Sequence, residues 1–368
     1  MALAPLYVDP QIVKPLRIAQ VAPPFESVPP AGYGGTERVI ATLTEELVRR
    51  GHDVTLFASG DSRTSAHLVP IVEQALWHQK LQYRDFTPFW SMVLGRLVQE
   101  IDGFDVIHSH LDYFGFPLAR IARSPVVTTL HGRLDEPELQ PLYTAFVDVP
   151  LVSISNAQRR PVSHANWTDT VYNGIDLDAF TFNPKGGDYL AFLGRISPDK
   201  GLDIALRAAR AARMPLKIAA RKPLPYTNDP EVRRDWEYYH DEIQPLLQDR
   251  DVEFIGEVDG AEKDDFLGHA AALLFPIRWP EPFGLVMVEA LACGTPVLAL
   301  GDGSVPEVID DGKTGAICRD ENELVKAIGR VGDFKRKVCR AEVERRFSPA
   351  AMAAGYERVY QRLISHGA

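Results

Sequence analysis

Cysteine is scarce in this sequence, and long apolar runs are missing. The three cysteines, Cys293, Cys318 and Cys339, are odd in number and widely spaced, so they form neither a disulfide framework nor a metal-binding pattern. No run approaches the ~18 apolar residues that a membrane-spanning helix needs. Residues 1–11 lack the basic start and long apolar stretch of a secretory signal. These absences predict a cytoplasmic protein without a transmembrane segment.

An excess of positive charge is also missing. The 368 residues include 40 Lys and Arg against 50 Asp and Glu, which gives a formal net charge of −10. Because nucleic-acid binding favours the opposite sign, we expect no nucleic-acid partner. The 45% hydrophobic and 24% charged residues are typical of a globular protein and exclude a disordered or fibrous chain. At about 150 residues per domain, the length favours two domains.

Two halves of the chain share one pattern of short apolar strands and amphipathic helices. Predicted strands of the first half lie at residues 16–22, 54–58, 105–108, 125–130 and 151–155. Those of the second half lie at residues 189–193, 216–219, 252–255, 272–275 and 296–299. Strands separated by helices favour a parallel sheet in each half. Ligands of such sheets bind beyond the carboxyl ends of the strands, so the pattern predicts a cleft between two doubly wound domains.

The strongest motif is E-P-F-G-L-V-M-V-E-A-L-A-C-G-T-P-V, at residues 281–297. Pro282 suits the first turn of a helix, so we expect a helix that starts near Gly284 and leaves Glu281 in the preceding loop. Its free N–H groups and its dipole would form an anion site. Glu289 lies four residues beyond Leu285, about 6 Å along the helix axis. One element could therefore hold a phosphate at its tip and reach a sugar hydroxyl with this carboxylate. The alternative is a capped core helix with two surface glutamates.

A second motif, G-R-I-S-P-D-K-G, follows a predicted strand at residues 194–201. Arg195 offers a planar fork and Lys200 a point charge, a pair suited to phosphate oxygens. The alternative is a solvated loop with two surface cations.

Glycines and histidines mark three strand ends in the first half. Residues 32–35, G-Y-G-G, do not fit a dinucleotide fingerprint, because Glu37 stands where the third glycine belongs. These glycines would instead let the backbone approach a ligand, or form a flexible loop. His108 and His131 end two strands and could bind a hydroxyl or move a proton. We expect His108 to point into the protein and His131 to face the cleft. The alternative for each is a structural histidine whose ring is fully hydrogen-bonded within the protein.

Two further patterns carry less weight. Asp176 and Asp178 resemble a carboxylate pair for a divalent ion, but N-G-I-D at residues 173–176 is better interpreted as a turn. Residues 77–101 are rich in aromatics, which core packing explains; an acceptor or membrane surface is the alternative. The acidic charge balance does not favour peripheral membrane contact.

These motifs together resemble the retaining glycosyltransferases of family 4, also called glycosyl transferases group 1. The resemblance rests on the two glutamates at 281 and 289, the 194–201 loop, the glycine loop, V-x-N-G-I-D at residues 171–176 and G-S-V-P-E-V-I at residues 303–309. It extends from the first strand to the last helix. It implies a GT-B fold, α/β, with two Rossmann-like domains facing across a cleft. The expected domains are residues 1–176 on the acceptor side, residues 177–348 for the nucleotide sugar, and a helix at 349–368 that crosses back onto the first.

The resemblance also implies roles for individual residues. Arg195, Lys200, Glu281 and His131 would carry catalysis: the two cations stabilise the departing diphosphate, Glu281 binds the transferred sugar and His131 lies near its ring. Glu289 would hold the ribose. The other residues implied to bind the donor are Gly34, Gly35, Gly194, Ile255, Gly256, Phe283, Gly284, Leu285 and Val286.

The implied reaction moves a hexose from a nucleoside diphosphate, with UDP-glucose expected first and GDP-mannose second, to a hydroxyl acceptor. The resemblance implies retention of configuration and no metal or other cofactor. A nucleotide-sugar epimerase or a phosphorylase of the same architecture, and a non-catalytic nucleotide-sugar-binding protein, stay open as alternatives. The acceptor and the oligomeric state do not follow from the sequence.

Overall fold

Two parallel sheets, one in each half of the chain, organise the protein. The computed structural model describes residues 14–32, 34–79, 83–225 and 229–366. The first sheet has the strand order β3-β2-β1-β4-β5-β6-β7. Its strands are β1 Arg17–Val21, β2 Asp53–Ser59, β3 His67–Val72, β4 Val106–Ser109, β5 Val126–Leu130, β6 Leu151–Ser153 and β7 Trp167–Thr170.

The second sheet has six strands in the order β10-β9-β8-β11-β12-β13. They are β8 Tyr189–Leu193, β9 Leu216–Ala219, β10 Val252–Gly256, β11 Ala270–Phe275, β12 Val297–Leu300 and β13 Gly315–Cys318. All pairings between neighbouring strands in both sheets are parallel. The predicted pair of doubly wound sheets is therefore confirmed.

Helices cover both faces of each sheet and join successive strands. In the first half they are α1 Gly35–Arg49, α2 Thr87–Glu100, α3 Phe116–Ala119 and α4 Leu139–Ala145. In the second half they are α5 Leu202–Ala212, α6 Pro230–Tyr238, α7 Gly260–Gly268, α8 Leu285–Ala292, α9 Val305–Val308, α10 Glu321–Ile328, α11 Arg336–Arg346 and α12 Pro349–His366. Among the described residues, no helix has both the length and the apolarity to cross a bilayer.

Strands β3, β7 and β13 are not predicted by the apolar pattern. Each lies at an edge of its sheet. β7 reads W-T-D-T, and all four of its residues are only half-buried. An edge strand pairs on one side only, so it does not need the continuous apolar run of a central strand such as β5, which is fully buried.

A few predictions concern residues outside the described ranges. The interpretation of residues 1–11 falls there, as do Tyr33 of the glycine loop and the last two residues of the expected crossing helix. In the polar stretch at residues 222–249, the described residues form α6, which continues as one π-helical turn over Tyr239–Ile243 and ends in a short 3-10 turn.

The last helix, α12, packs on the first sheet rather than on the second. Met352, Tyr356 and Tyr360 are buried in one apolar cluster with Ile18 of β1 and Leu43 of α1. The carboxylate of Glu357 also forms an ion pair with the guanidinium of Arg50, at 2.8 Å. Burying this apolar face stabilises the contact between the chain's C-terminal end and its N-terminal half.

Buried hydrogen bonds accompany the apolar contact of α12. The Tyr360 hydroxyl lies 2.8 Å from Nδ1 of His108 and 3.1 Å from Nε2 of Gln20. Nε2 of His108 lies 2.7 Å from the hydroxyl of Thr129, which in turn contacts the Tyr356 hydroxyl at 2.9 Å. His108 is fully buried, as expected from the sequence. These groups therefore satisfy one another inside the core.

We expect Tyr360→Phe to lower stability. The change keeps the ring but leaves buried polar atoms of His108 and Gln20 without their partner, at a cost of about 1–3 kcal/mol. The midpoint of urea unfolding, followed by circular dichroism, checks this. Tyr113→Phe is the matched control, because Tyr113 is 38% exposed. Equal midpoints for the two variants would contradict the account.

Candidate active site

Loops that follow strands of the two sheets meet across a cleft. Gly35, after β1, lies so near Leu285, after β11, that a Cβ added to it would be 3.3 Å from Cδ1 of the leucine. The Arg133 guanidinium, after β5, lies 5.5 Å from the ring centre of Trp279, also after β11. The carboxyl ends of the two sheets therefore face each other, as the sequence predicts.

A third contact joins the domains at Glu307 of α9. Its carboxylate accepts hydrogen bonds from the backbone N–H groups of Asn156 and Ala157, at 2.8 and 2.7 Å, and from the Tyr172 hydroxyl, at 3.0 Å. Glu307 belongs to the G-S-V-P-E-V-I motif. This motif therefore contributes to the contact between the two halves of the chain.

The loop from Glu281 to Gly284 leads into α8, which begins at Leu285. Gly284 adopts φ 76°, and a Cβ there would lie 2.7 Å from the Met287 methyl group. The N-terminal end of α8 thus has free N–H groups in the cleft, where the dipole favours an anion. Half-buried Leu285 and Val286 lie at this end. The Phe283 ring instead lies in the core, 2% exposed, so only its backbone is available to a donor.

Gly303 supports this loop from the adjacent strand connection. It has φ 55°, and an added Cβ would lie 2.4 Å from the backbone nitrogen of Glu281. Ser304 donates a backbone hydrogen bond to the carbonyl of Glu281 and a hydroxyl hydrogen bond to that of Phe283. The glycine and serine of the motif therefore hold the position of Glu281.

Lys200 and Glu281 form a close ion pair. Nζ of Lys200 lies 2.5 Å from Oε2 of Glu281, and the side chains are only 23% and 13% exposed. Gly201, with φ 67°, brings the 194–201 loop against β11, because an added Cβ would lie 2.1 Å from the Pro276 carbonyl oxygen. The structure therefore pairs one predicted cation with a carboxylate beside the start of α8, because a Cβ added to Gly284 would lie 3.5 Å from Cγ of Glu281.

Arg195 has a different environment. It follows Gly194 at the end of β8, its side chain is 52% exposed, and its Nε lies 3.5 Å from a carboxylate oxygen of Asp235. Burial raises the pKa of Asp235 above its ordinary value. Among the described residues, no contact joins Arg195 to Lys200 or Glu281.

Glu289 is buried and paired rather than free on a surface. Its Oε1 lies 2.7 Å from Nζ of Lys263 on α7, and both side chains are about one-tenth exposed. Ile255 and Gly256, expected beside the nucleotide base, end the edge strand β10; Ile255 is half-buried and Gly256 has φ 86°. The ion pair fixes the carboxylate of Glu289 at one place on α8.

The histidine predicted to face the cleft belongs to a hydrogen-bonded group. Nε2 of His131 lies 2.9 Å from Nδ1 of His110, whose Nε2 lies 2.8 Å from Oε1 of Gln20. Burial lowers the pKa of His131 to about 4. Burial also raises the pKa of neighbouring Asp112 to about 6, although the backbone N–H of His131 donates to its carboxylate. His131 is therefore neutral at pH 7.

Glu37 is a buried carboxylate directly after the glycine loop. It lies in the first turn of α1 with 6% of its surface exposed. Its Oε2 lies 3.1 Å from where a Cβ of Gly34 would stand. Burial, together with the nearby charge of Glu26, raises the pKa of Glu37 to about 7.

The sequence did not predict a role at this site for Lys263, Trp279 or His110. It also did not predict that Gly303 packs against the backbone of Glu281. Lys200 lies 5.1 Å from the ring centre of Trp279, which thus has a cation from each domain near it. Trp279 lies two residues before Glu281 in the chain, and this proximity could have indicated that it belongs to the site. Lys263 lies 26 residues from Glu289, and no local pattern marks that pair.

Asp176 takes part in a turn, as the sequence predicts. Oδ1 of Asp176 accepts the backbone N–H of Asp178 at 3.1 Å, which is turn chemistry. Within the described part of the chain, no group of three or more His, Cys, Asp or Glu side chains could hold a metal ion. The three cysteines are buried, and burial raises the pKa of Cys318 to about 11, so the thiol is not activated.

Comparison with known proteins identifies the family. The family described as glycosyl transferases group 1 matches residues 176–337, and glycosyltransferase family 4 matches residues 33–179. A D-inositol 3-phosphate glycosyltransferase of Mycolicibacterium smegmatis is 30% identical over 342 residues, covering 77% of this chain and 75% of the relative. A phosphatidyl-myo-inositol mannosyltransferase of Mycobacterium leprae is 25% identical over 391 residues, covering 96% and 98%.

Solved structures share the architecture. Anabaena Alr3699/HepE, in complex with UDP and glucose, superposes with a TM-score of 0.68 at 18% identity, covering 94% of this chain and 100% of that one. The chain therefore belongs to the glycosyltransferases of group 1 and family 4, and its two facing parallel sheets with a long C-terminal helix form a GT-B fold.

Proposed function

We propose that this glycosyltransferase moves a hexose from a nucleoside diphosphate sugar to a hydroxyl acceptor with retention of configuration. The observation that carries the proposal is the Lys200–Glu281 pair at the N-terminus of α8, inside the cleft. A cation and a set of free N–H groups at one place suit a diphosphate, and a carboxylate beside them suits sugar hydroxyls.

The departing diphosphate takes its stabilisation from Lys200, Arg195 and the backbone N–H groups at the start of α8. Lys200 exchanges its partner Glu281 for phosphate oxygens, which frees that carboxylate for a sugar hydroxyl. Arg195 is half-exposed and lies 3.5 Å from Asp235, and its part in the proposal is to leave this carboxylate for the same oxygens. Fixed charges that meet a developing negative charge are a large source of rate enhancement.

Glu289 holds the ribose. The ion pair with Lys263 orients Glu289, so that its second carboxylate oxygen accepts a hydrogen bond from a ribose hydroxyl. Ile255 and Gly256 lie against the base, and Gly34 and Gly35 approach the phosphates from the opposite domain. His131 contacts the sugar from the end of β5.

The donor we propose first is UDP-glucose, with GDP-mannose second. The structural neighbour that holds UDP and glucose supports the first, and the mannosyltransferase relative supports the second. Same-face attack, with the departing phosphate as the base, is the proposed route to retention. The proposal involves no metal or other cofactor.

Removing Arg195 and Lys200 together tests whether these cations stabilise the departing diphosphate. We expect Arg195→Ala/Lys200→Ala to reduce kcat by about 10³-fold or more, since one fixed donor to a developing charge is worth 10²–10³-fold. Transfer is measured by mass spectrometry of the glycosylated product. Lys313→Ala/Arg319→Ala removes two exposed cations of the same domain as the control. Normal turnover by the first double variant would refute the role.

Donor identity is tested by the melting temperature. At equal concentrations the nucleotide that binds most tightly raises Tm most, and a ligand at 100 times its Kd stabilises the folded protein by about 2.7 kcal/mol. We therefore expect UDP to raise Tm more than GDP or ADP. UDP-glucose should exceed GDP-mannose in the same assay. A larger effect of GDP-mannose would overturn the donor, although not the transferase.

Two additional readouts test the remaining parts of the proposal. EDTA should leave the rate of transfer unchanged, and a loss of activity that Mg²⁺ or Mn²⁺ restores would contradict metal independence.

The anomeric configuration of the product, determined by NMR, should match that of the donor. Conversion of the nucleotide sugar without any acceptor would favour an epimerase instead.

A further inference from the structure

A continuous line of side chains connects the last helix to His131. It runs from Tyr360 of α12 to Gln20 of β1, then to His110 after β4, and ends at His131 after β5. The successive distances are 3.1, 2.8 and 2.9 Å. All but His131 are at most 1% exposed, and His131 is half-buried. The line therefore ends where the chain enters the cleft.

The protonation of the histidines follows from their burial. Burial lowers the pKa of His131 to about 4 and those of His108 and His110 well below the ordinary histidine value. Each ring is therefore neutral at pH 7. A neutral imidazole has one N–H donor and one bare nitrogen acceptor, so each hydrogen bond along the line determines the direction of the next.

Gln20 sets that direction. Its NH2 group donates to the Tyr360 oxygen and also lies 3.3 Å from Nδ1 of His108. With a donor facing it, Nδ1 of His108 acts as an acceptor and takes a hydrogen bond from the Tyr360 hydroxyl. The Gln20 carbonyl oxygen then faces Nε2 of His110, which must carry a proton to donate. Nδ1 of neutral His110 is consequently bare, and it accepts a hydrogen bond from the Nε2–H of His131. Nδ1 of His131 is left bare.

A buried side chain anchors the backbone on both sides of His131. Nε2 of Gln158 donates to the carbonyls on both sides, those of Leu130 and Gly132, at 2.9 Å each. Arg133, next along the chain, contacts Trp279 of the other domain near Lys200. Among the described residues, no group lies within hydrogen-bonding distance of Nδ1 of His131.

We propose that His110 is a positioning residue that holds His131 in its Nε2–H form, so that Nδ1 accepts a hydrogen bond from a substrate hydroxyl. The polar chain through Gln20 and Tyr360 places this selection under the control of the last helix. The role of Nδ1 toward substrate rests on the proposed function, whereas the tautomer does not. His131 then orients a hydroxyl and does not donate a proton from Nδ1.

The tautomer is measured directly in the full-length protein. Two-bond ¹H–¹⁵N correlation spectra of protein labelled with ¹⁵N-histidine distinguish a protonated ring nitrogen from a bare one. The His131 signals are identified by their loss in His131→Asn. We expect a protonated Nε2 and a bare Nδ1 at pH 7. A protonated Nδ1 would mean that the Gln20 amide is reversed, and it would overturn the proposal.

Kinetics of two His110 variants test the positioning role. His110→Phe keeps a ring but removes the acceptor, and we expect kcat to fall by about 10²-fold, the cost of a misplaced catalytic group. KM for the donor should stay within about twofold, because donor binding depends on other groups. His110→Asn places an oxygen near the former Nδ1, so it should recover most of the lost kcat.

Tyr356→Phe is the matched control. It removes a buried hydrogen bond of α12 to Thr129, which is not a member of the line from Tyr360 to His131. It should lower Tm and leave kcat unchanged. Equal losses of kcat in Tyr356→Phe and His110→Phe, or unchanged kcat in His110→Phe, would overturn the positioning role.

The two proposals fail in different ways. If the wild-type protein transfers no sugar from any nucleotide sugar to any acceptor tested, the proposed function fails, while the spectra still decide the tautomer. If transfer is normal but Nδ1 of His131 is protonated, only the present inference fails. If His110→Phe does not fold, the wild-type spectrum alone decides.

Discussion

The pairing of Lys200 with Glu281 is the interaction on which the cleft depends. Neither side chain is freely solvated, and each would be costly to bury alone, so the pair holds the 194–201 loop against the loop before α8. Gly201 and Gly303 make this approach possible, because any side chain at either position would collide with backbone. Two glycines and one ion pair thus define where the N-terminus of α8 points.

The same pairing explains how a charged site stays stable without its ligand. A lone ammonium group beside helix N–H groups would add positive charge to positive potential. The Glu281 carboxylate neutralises it, and Lys263 does the converse for Glu289 at the second turn of α8. Under the proposed function, a diphosphate sugar would supply its own anion, so its binding would rearrange existing pairs rather than bury an uncompensated charge.

The C-terminal helix links the two ends of the chain through the interior of the first domain. Its apolar face completes the core formed by β1 and α1, and its two tyrosine hydroxyls enter the polar interior beside β4 and β5. Each buried polar group of this kind needs a hydrogen-bond partner, because an unpaired polar group in the low-dielectric interior lowers the stability of the fold. That requirement connects residues that lie 252 and 227 positions apart along the chain.

The sequence by itself determined the elements that depend on local chemistry. Continuous apolar runs predicted the central strands, since these are buried on both faces, and Pro282 and Gly284 indicated the start of α8. It did not predict the edge strand β7, which lacks such a run, nor the burial of the Phe283 ring. Tertiary structure alone decided the partners of the charged and polar groups: Lys263 for Glu289, Asp235 for Arg195, and His110 for His131. The physical reason is that a hydrogen bond or an ion pair acts over a few ångströms in space, while the residues that form it can lie anywhere along the chain.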